Sequence, residues 1–348
     1  MKIALLADLH FGVKKSADYF FNSQLRFFEN QFFPYLEKNG IKDIFILGDV
    51  MDNRDHINVK ILDSVHRLFS EQFSKYNTRI IVGNHDSYLK TDIKINSVNM
   101  LESIKNIHVY DEITVDKDIE KSTGKRITMI PWVVNVNDFN NWLSTCDHSD
   151  YAFGHFELSG FSLIPGYFAK NENDPVHLLS CFDKVYTGHF HKRERKDFGN
   201  KFVEYIGSPY QITRNDIGTP RGFTILDVET GEEEFIENDQ SIRFLRYLYP
   251  EKISKKDIKG NIVDVIIRFE DTEDNDKFLK YIESIEKAGS LFHPEVKIVD
   301  DTVSKESEFT IEHKSVETVM KEYIDTLEYE NKDVIYQKLL DLYHQVLV

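Results

Sequence analysis

The chain opens with the stretch MKIALLADLH, residues 1–10, in which a short apolar run ends at an acid. The run from Ile3 to Ala7 has the length and composition of a buried strand, and it lacks the cleavage site of a secretory signal peptide. Asp8 and His10 follow this strand two residues apart. If the chain stays extended there, the two side chains point to the same face, so the pair predicts a site at which both bind one ion.

Two further strands end in polar loops of the same kind. Ile44–Leu47 leads into GDVMD at residues 48–52, and Ile80–Val82 leads into GNHD at residues 83–86. Between the strands, apolar residues recur at three- and four-residue steps, which is typical of helices with one apolar face. The order strand, helix, strand, helix, strand predicts an α/β fold with a parallel sheet and right-handed crossovers.

The pattern divides the chain into four parts. Residues 1–240 predict an α/β core that becomes rich in short strands in its second half. Residues 241–300 predict a small αβ module. Residues 301–313 are polar and predict a linker. Residues 314–348 predict two amphipathic helices at the end of the chain.

The composition limits the classes of protein to consider. The 348 residues carry 43 basic and 59 acidic side chains, a formal net charge of −16. This balance argues against a protein that holds nucleic acid through bulk positive charge, but not against a nucleic-acid enzyme that uses metal ions. Two cysteines, Cys146 and Cys181, cannot build a disulfide framework or a cysteine-rich zinc site. No apolar run approaches the roughly 18 residues that cross a membrane, so we expect a cytoplasmic protein without a membrane partner.

Histidines follow two later strands, in Gly154-His155 and in Gly188-His189-Phe190-His191. Together with the first three motifs they make five polar loops at strand ends. Because the carboxyl ends of parallel strands meet at one edge of a sheet, these loops converge on a common point. Each motif alone is a weak signal, but the ordered set of Asp, His and Asn predicts a metal site. Mixed oxygen and imidazole ligands suit manganese, iron or zinc better than calcium.

The order Asp-x-His, Gly-Asp-x-x-Asp, Gly-Asn-His-Asp, Gly-His, Gly-His-x-His resembles the calcineurin-like metallophosphoesterases. Within them the chain looks like the nuclease subunits of double-strand-break repair complexes, the SbcD type. The stretch GHFELSGF at residues 154–161 is similar to the form of this nuclease in T-even-like bacteriophages. The resemblance covers nearly the whole chain. It implies a four-layer α/β/β/α sandwich with a small αβ capping domain and C-terminal helices.

The resemblance also implies roles for individual residues. A first metal ion would be held by four of them, Asp8, His10, Asp49 and His191. A second would be held by Asp49, which bridges the two ions, and by Asn84, His155 and His189. Two divalent ions, most suitably Mn²⁺ with Mg²⁺ as an alternative, would activate the attacking water. No organic cofactor is implied.

Two residues after the third strand would complete the catalytic set. His85 is the candidate for protonating the leaving 3′ oxygen, and Asp86 could fix the tautomer of His85. Asp52 stands where some members of the family carry a histidine. We give it either a structural role or the role of orienting a ligand histidine.

Cations and one aromatic residue follow the metal motifs closely and are the candidates for contacts with a DNA backbone. They are Arg54, Tyr88, Lys90, Lys192, Arg193 and Arg195. For residues 192–196 an exposed strand with solvated charges is an equally good interpretation.

The resemblance further implies partners. These are double-stranded DNA ends, single-stranded DNA segments, and an SMC-like coiled-coil ATPase that binds ATP itself and docks on residues 314–348. The alternative for residues 314–348 is that their helices bury the apolar faces on the core of the chain itself. A homodimer would give a 2:2 complex, located in the host cytoplasm if a phage encodes the chain.

Three hypotheses stay open on the sequence alone. The first is a metal-dependent DNA exonuclease and endonuclease that acts with an ATPase. The second is a phosphatase or a cyclic-nucleotide phosphodiesterase, which would have no use for residues 241–348. The third is a non-catalytic scaffold, which would have no need of an intact set of ligands.

Overall fold

The computed structural model describes residues 1–164, 167–169, 174–268 and 275–299, and the single positions Ile324, Lys332, Tyr336 and Lys338. These four positions are helical. The predicted linker at 301–313 and the rest of the predicted helices at 314–348 lie outside the described residues.

The described strands are, in chain order, β1 Lys2–Leu6, β2 Asp43–Leu47, β3 Asn77–Ile81, β4 Ile107–Tyr110, β5 Thr114–Val115, β6 Ile127–Ile130, β7 Ser149–His155, β8 Ser162–Ile164, β9 Tyr167–Phe168, β10 Phe182–Gly188, β11 Glu194–Phe198, β12 Lys201–Tyr205, β13 Gly222–Asp227, β14 Glu233–Glu237, β15 Phe244–Leu248, β16 Ile262–Arg268 and β17 Glu295–Val299. The described α-helices are α1 Val13–Ser16, α2 Asp18–Phe27, α3 Phe33–Asn39, α4 Val59–Glu71, α5 Lys117–Thr123, α6 Val136–Leu143, α7 Pro175–Cys181, α8 Lys255–Ile258 and α9 Asn275–Lys287. A π-helical turn, Phe28–Phe32, joins α2 to α3.

Two six-stranded sheets form the centre of the fold. The first has the order β14-β13-β1-β2-β3-β4, and the second has the order β11-β12-β10-β7-β6-β5. In the first sheet, β1 to β4 are parallel, as the sequence predicted, and β13 and β14 add an antiparallel edge. In the second sheet, β6, β7, β10 and β12 are parallel.

Alternation along the strands divides the core into layers. Ile3 and Leu5 of β1 share one apolar cluster with Phe153 and Tyr186 of the second sheet. Ala4, the residue between them, belongs instead to a cluster with the helices α2, α3 and α4. A third cluster packs α6 and α7 on the outer face of the second sheet. Because side chains of a strand point to alternate faces, each sheet buries one face on the other sheet and one on helices. The predicted α/β/β/α sandwich is therefore confirmed.

The small module consists of β15 to β17 and the helices α8 and α9. Its sheet has the order β15-β16-β17, and an apolar cluster of its own lies beneath α9. A second cluster joins Phe20 of α2 to Ile242, Phe244 and Ile262. Residues up to Ile267 and the helix α9 belong to one compact unit, so the module packs on the core. The boundary at residue 240 stays a prediction.

Two further observations concern expectations from composition. Cys146 and Cys181 pair with each other beside α7, a single bridge that the sequence analysis did not expect. Within the described part of the chain, no helix has both the length and the apolar character needed to cross a membrane.

Candidate metal centre

The predicted site residues meet where strands of the two sheets end. Asp8 and His10 follow β1, Asp49 follows β2, and His155 closes β7. The pairing of β1 with β2 continues beyond the strands, because Asp8 N–H donates to Gly48 at 3.1 Å and His10 N–H donates to Asp49 at 3.0 Å, both to backbone carbonyls. This ladder brings the first two motifs side by side, as the parallel order requires.

The ligating atoms form two groups. Asp8, His10 and His191 lie within 4.8 Å of one another in the first group. Asp49, His155 and His189 do so in the second. Together they contain six of the seven residues to which the family resemblance gives a metal-binding role, and that role stays a prediction.

Asp49 lies between the two groups. Its Oδ2 atom is 3.3 Å from His155 Nε2 and 3.7 Å from His10 Nε2. Its Oδ1 atom accepts a hydrogen bond from the backbone N–H of His85 at 2.8 Å. One carboxylate oxygen therefore faces a histidine from each group, which is the geometry that a bridging ligand needs.

Asn84 belongs to the second group by distance. Its Oδ1 atom lies 3.0 Å from His155 Nε2 and 2.9 Å from His189 Nδ1. All seven predicted metal ligands are thus brought together, four at the ends of β1, β2 and β3 of the first sheet and three at the ends of β7 and β10 of the second sheet.

The donor set fits divalent metal ions. Among the described residues, Asp8 Oδ2 is buried and has no hydrogen-bond partner, although a buried carboxylate oxygen left in this way is costly. His155 donates through Nδ1 to the carbonyl of Leu47 at 2.8 Å, which leaves Nε2 directed at Asp49. His10 and His191 bring their Nε2 atoms within 3.0 Å of each other. Convergent lone pairs of this kind are stabilised by a cation, and imidazole with carboxylate suits transition metals.

The pKa values reflect the crowding of charge. Burial raises the pKa of Asp8 to about 6. Burial works against a charge on His155, but the neighbouring Asp49 carboxylate raises the pKa of this histidine to about 9. Burial and the charge on His155 lower the pKa of His189 to about 3, and burial and His10 hold the pKa of His191 well below its usual range. Burial therefore favours the neutral form of His189 and His191, the form in which histidine binds a metal.

His85 lies at the rim of this centre. Its ring centroid is 4.8 Å from that of His10, and its Nδ1 atom donates to the backbone carbonyl of Asp52 at 2.7 Å. His10, Asp52 and His85 also lie close enough to form a third group, which shares His10 with the first.

Asp86 does not orient His85, which corrects the sequence-based expectation. Its carboxylate accepts hydrogen bonds from the backbone N–H groups of Met51 at 3.0 Å and of Gly83 at 2.9 Å. It therefore ties the loop after β3 to the loop after β2. Burial and the charge on Asp49 raise the pKa of Asp86 to about 6. The backbone carbonyl of Asp52 takes the orienting role instead.

The side chain of Asp52 lies beside a ligand histidine. Its Oδ1 atom is 3.4 Å from His10 Nδ1, while His10 Nε2 faces Asp49 and His191. This is the position of a carboxylate that orients a metal-binding imidazole, one of the two roles considered from the sequence.

Glycines are required in the motifs because ligand residues pack where a Cβ atom would otherwise stand. Gly48 has a φ of +85°, and a Cβ atom there would collide with the ring of His155. A Cβ atom on Gly83 would collide with the carboxylate and the backbone N of Asp49. Larger residues at these two positions would push the ligands apart.

One aromatic residue near the centre was missed from the sequence. The ring of Trp132 lies 5.0 Å from that of His189 and 5.9 Å from that of His155, and its backbone N–H donates to Val82 at 2.9 Å. Trp132 lies two residues after the end of β6, so its place near a strand end was the signal that could have found it.

The candidates for DNA contacts divide into two sets. Tyr88 is 51% exposed, Lys90 is exposed, and Arg54 and Lys192 are half-buried. Arg193 is half-buried and Arg195 is exposed, and both pair with acids of the chain itself. Contact of these two arginines with DNA stays a prediction.

The two arginines serve the fold because they pair with buried acids. Arg193 lies 2.5 Å from the buried carboxylate of Glu204, and Arg195 lies 3.0 Å from Glu233 and 3.5 Å from Glu204. The guanidinium of Arg195 also stacks 3.5 Å from the ring centre of Phe202. The predicted exposed strand at 192–196 is β11 in its greater part, and Arg193 and Arg195 keep 34% and 39% of their side chains exposed while they form these ion pairs.

The four-layer sandwich and the grouped Asp, His and Asn ligands define a metal-dependent phosphodiester hydrolase. The chain belongs to the calcineurin-like phosphoesterase family, whose model matches residues 1–193. It is 32% identical to exonuclease subunit 1 of Enterobacteria phage T4 over 333 residues, which are 94% of this chain and 93% of that protein. It is 23% identical to the SbcD subunit of the nuclease SbcCD of Staphylococcus epidermidis over 265 residues, which are 67% of each chain.

Proposed function

We propose that this phosphoesterase is a DNA nuclease that works with two divalent metal ions, most suitably Mn²⁺, with Mg²⁺ as the alternative. It would act as an exonuclease on double-stranded ends and as an endonuclease on single-stranded segments. The observation that carries the proposal is the position of Asp49 between the two groups of ligands. The names of the two relatives, an exonuclease subunit and a nuclease subunit, support DNA as the substrate.

Two bound ions would activate a water for attack and hold the oxygens of the phosphate in line. Individual residues of the chain would hold the ions or orient the residues that hold them. One ion would be held by Asp8, His10, Asp49 and His191, and the other by Asp49, Asn84, His155 and His189. The hydrogen bond from His155 to Leu47 presents its Nε2 atom as a ligand.

His85 would handle the proton of the leaving group. Its Nδ1 proton is held by the carbonyl of Asp52, so Nε2 is the nitrogen that would take up and deliver a proton. Transfer of that proton to the leaving 3′ oxygen avoids the release of an alkoxide.

The proposed function is tested with the purified full chain and end-labelled duplex DNA, with and without Mn²⁺. Release of nucleotides from DNA ends only with Mn²⁺ supports a nuclease. Hydrolysis of p-nitrophenyl phosphate or of cyclic nucleotides without cleavage of DNA would instead favour the phosphatase or phosphodiesterase. No hydrolysis of any of them would favour the scaffold.

We further propose that the chain works in a complex with an SMC-like ATPase. Both relatives are named as subunits, and the amphipathic pattern of residues 314–348 predicts apolar helix faces that a partner would cover. We extend this to a homodimer of the chain, giving a 2:2 complex. The net charge of −16 favours this arrangement, because the chain alone has little positive charge with which to hold DNA.

Deletion of residues 314–348 tests the docking. The shortened chain is expected to keep Mn²⁺-dependent cleavage and to lose co-purification with a co-expressed ATPase subunit. Unchanged co-purification would contradict the proposal.

A further inference from the structure

The first two ligands are held in an unfavourable backbone conformation. Asp8 has a φ of 53° and His10 a φ of 43°, both in the left-handed region that residues other than glycine seldom adopt. Such a conformation is strained and persists only where the surroundings enforce it. Leu9 lies between the two ligands, so the position of its peptide groups determines the backbone positions of Asp8 and His10.

Two buried side chains from distant parts of the chain hold the backbone of Leu9. Gln24, on α2, donates through Nε2 to the carbonyl of Leu9 at 2.9 Å and reaches that of His10 at 3.3 Å. The hydroxyl of Tyr210 donates to the same carbonyl of Leu9 and accepts from Gln24 Nε2 at 2.9 Å. Both side chains are only 1% exposed. Water therefore does not compete for these hydrogen bonds.

We propose that Gln24 and Tyr210 are positioning residues for the metal centre, which set Asp8 and His10 through the carbonyl of Leu9 and couple them to the small module. The proposal rests on the proposed function, since it needs the centre to bind metal. Neither residue touches the ligating atoms, so each acts through the backbone.

The coupling to the module follows from the residues next to this pair in the sequence. Ser23 precedes Gln24, and its Oγ atom accepts a hydrogen bond from the backbone N–H of Ile242 at 2.7 Å. Gln211 follows Tyr210, and its Oε1 atom accepts from the backbone N–H of Phe244 at 2.6 Å. Two backbone N–H groups, one just before β15 and one at its first residue, are therefore held by side chains whose residues are covalently adjacent to Gln24 and Tyr210.

Apolar packing supports the same connection. Phe20, one helical turn before Gln24, packs in one cluster with Ile242 and Phe244, and its ring lies 6.4 Å from that of Tyr210. A shift of β15 would displace both anchors together, and through them the carbonyl of Leu9.

The positioning role is tested by binding of Mn²⁺ to full-length variants, measured by titration calorimetry and by the electron paramagnetic resonance signal of paired ions. Tyr210→Phe and Gln24→Leu each remove one hydrogen bond to Leu9. We expect each to weaken the binding of one ion by about 10- to 100-fold, as is usual when a residue that orients a metal ligand is replaced. Saturating Mn²⁺ is expected to restore DNA cleavage in both.

Tyr151→Phe is the matched control. The hydroxyl of Tyr151 is also buried and also donates to a backbone carbonyl, that of Val228 at 3.0 Å, but it lies at the far end of β7 from the ligands. The control is expected to lose a similar amount of thermal stability and to bind Mn²⁺ within twofold of the wild type. Equal weakening of Mn²⁺ binding in Tyr151→Phe, or unchanged binding in Tyr210→Phe, would overturn the proposal.

The coupling is tested with Ser23→Ala. Alone, this variant is expected to weaken the same ion by several-fold. In the Gln24→Leu/Tyr210→Phe background it is expected to weaken Mn²⁺ binding no further, because the two side chains through which Ser23 would act are already replaced. A full additive effect in that background would overturn the coupling.

Failure of the inference is distinguishable from failure of the proposed function. A wild type that binds no Mn²⁺ and cleaves no DNA would refute the proposed function, and the inference with it. A wild type that binds two ions and cleaves DNA, with variants that bind equally well, would refute the inference alone.

Discussion

The ring of His85 and the backbone of Asp52 are joined by a hydrogen bond of 2.7 Å, in which Nδ1 donates to the carbonyl. A carbonyl oxygen only accepts, so the neutral ring keeps its proton on Nδ1 and leaves Nε2 to take up or deliver another. Because the backbone makes this contact, it survives replacement of the Asp52 side chain. The roles of these two residues can therefore be separated by mutation.

His85→Ala is expected to lower DNA cleavage by about 10²- to 10⁴-fold, the usual contribution of a general acid. Both Mn²⁺ ions should still bind, since the residue belongs to neither of the two main ligand groups. Cleavage of labelled duplex and calorimetric titration of Mn²⁺ measure the two effects. His108→Ala, at an exposed position of β4, is the control. Wild-type cleavage by His85→Ala would remove the assignment of the proton donor.

Asp52→Asn should weaken metal binding and leave proton transfer by His85 intact. The lost carboxylate faces His10 Nδ1 at 3.4 Å, so we expect about 10- to 100-fold weaker binding of one ion. Excess Mn²⁺ should then restore cleavage, because His85 is still held by the backbone. In His85→Ala, excess Mn²⁺ should restore nothing. Loss of cleavage in Asp52→Asn that persists at saturating Mn²⁺ would show that the carboxylate does more than orient His10.

Gly48→Ala combines a left-handed backbone with a collision against His155. The strain alone costs about 1 kcal/mol, and the forced displacement of a packed ring adds about 1 to 3 kcal/mol. Gly40→Ala separates the two effects, since Gly40 has a φ of +65° and nothing within 4 Å of the position that a Cβ atom would take. Urea unfolding should therefore give a loss of about 1 kcal/mol for Gly40→Ala and clearly more for Gly48→Ala, which should also lose Mn²⁺ binding. Equal losses would mean that the ring moves aside freely.

The metal centre was predictable because its signals are local. Each ligand directly follows or closes an apolar run of strand length, and a parallel sheet brings such ends together whatever the details of packing. Strand limits were predicted to within two or three residues; β1, for example, is Lys2–Leu6 instead of Ile3–Ala7. The four layers came from the family resemblance and are confirmed by the alternation of buried side chains in β1.

What could not be predicted depends on contacts between distant segments. Gln24 and Tyr210 are 186 residues apart, and no pattern in the sequence connects them. Asp86 was expected to contact its neighbour His85, but in the structure it reaches back to the loop after β2. Arg193 had the right sign and position for DNA, and only the fold reveals that a buried acid faces it.

Loss of charge at Arg193 should lower the stability of the protein, whereas loss of charge at Lys90 should weaken the binding of DNA. Arg193→Gln leaves the buried Glu204 with Arg195, at 3.5 Å, as its remaining arginine partner. Because Arg193 is itself 34% exposed, we expect the loss to cost about 1 to 3 kcal/mol of stability. Lys90→Gln, at an exposed position, should leave stability unchanged and weaken DNA binding, with the slope of log K against log salt falling by about 1. Thermal unfolding and binding of duplex at several salt concentrations measure both. A reduced salt slope in Arg193→Gln without loss of stability would restore it as a DNA contact.

Glu204 should make the stability of the protein depend on pH. Burial and the facing Glu233 raise the pKa of its carboxyl to about 7, and Arg193 and Arg195 offset only part of this. Its ordinary value is 4.5, so between about pH 4.5 and 7 the folded chain binds more protons than the unfolded chain. The free energy of unfolding therefore falls as pH rises through this window, by up to about 3 kcal/mol. The side chain of Glu204→Gln is neutral at every pH, so this variant should lose less stability between pH 5 and pH 8 than the wild type does. Glu232→Gln, at an exposed position, should follow the wild type. Unfolding in chelator at both pH values measures the difference, and the same pH slope in Glu204→Gln as in the wild type would contradict the raised pKa.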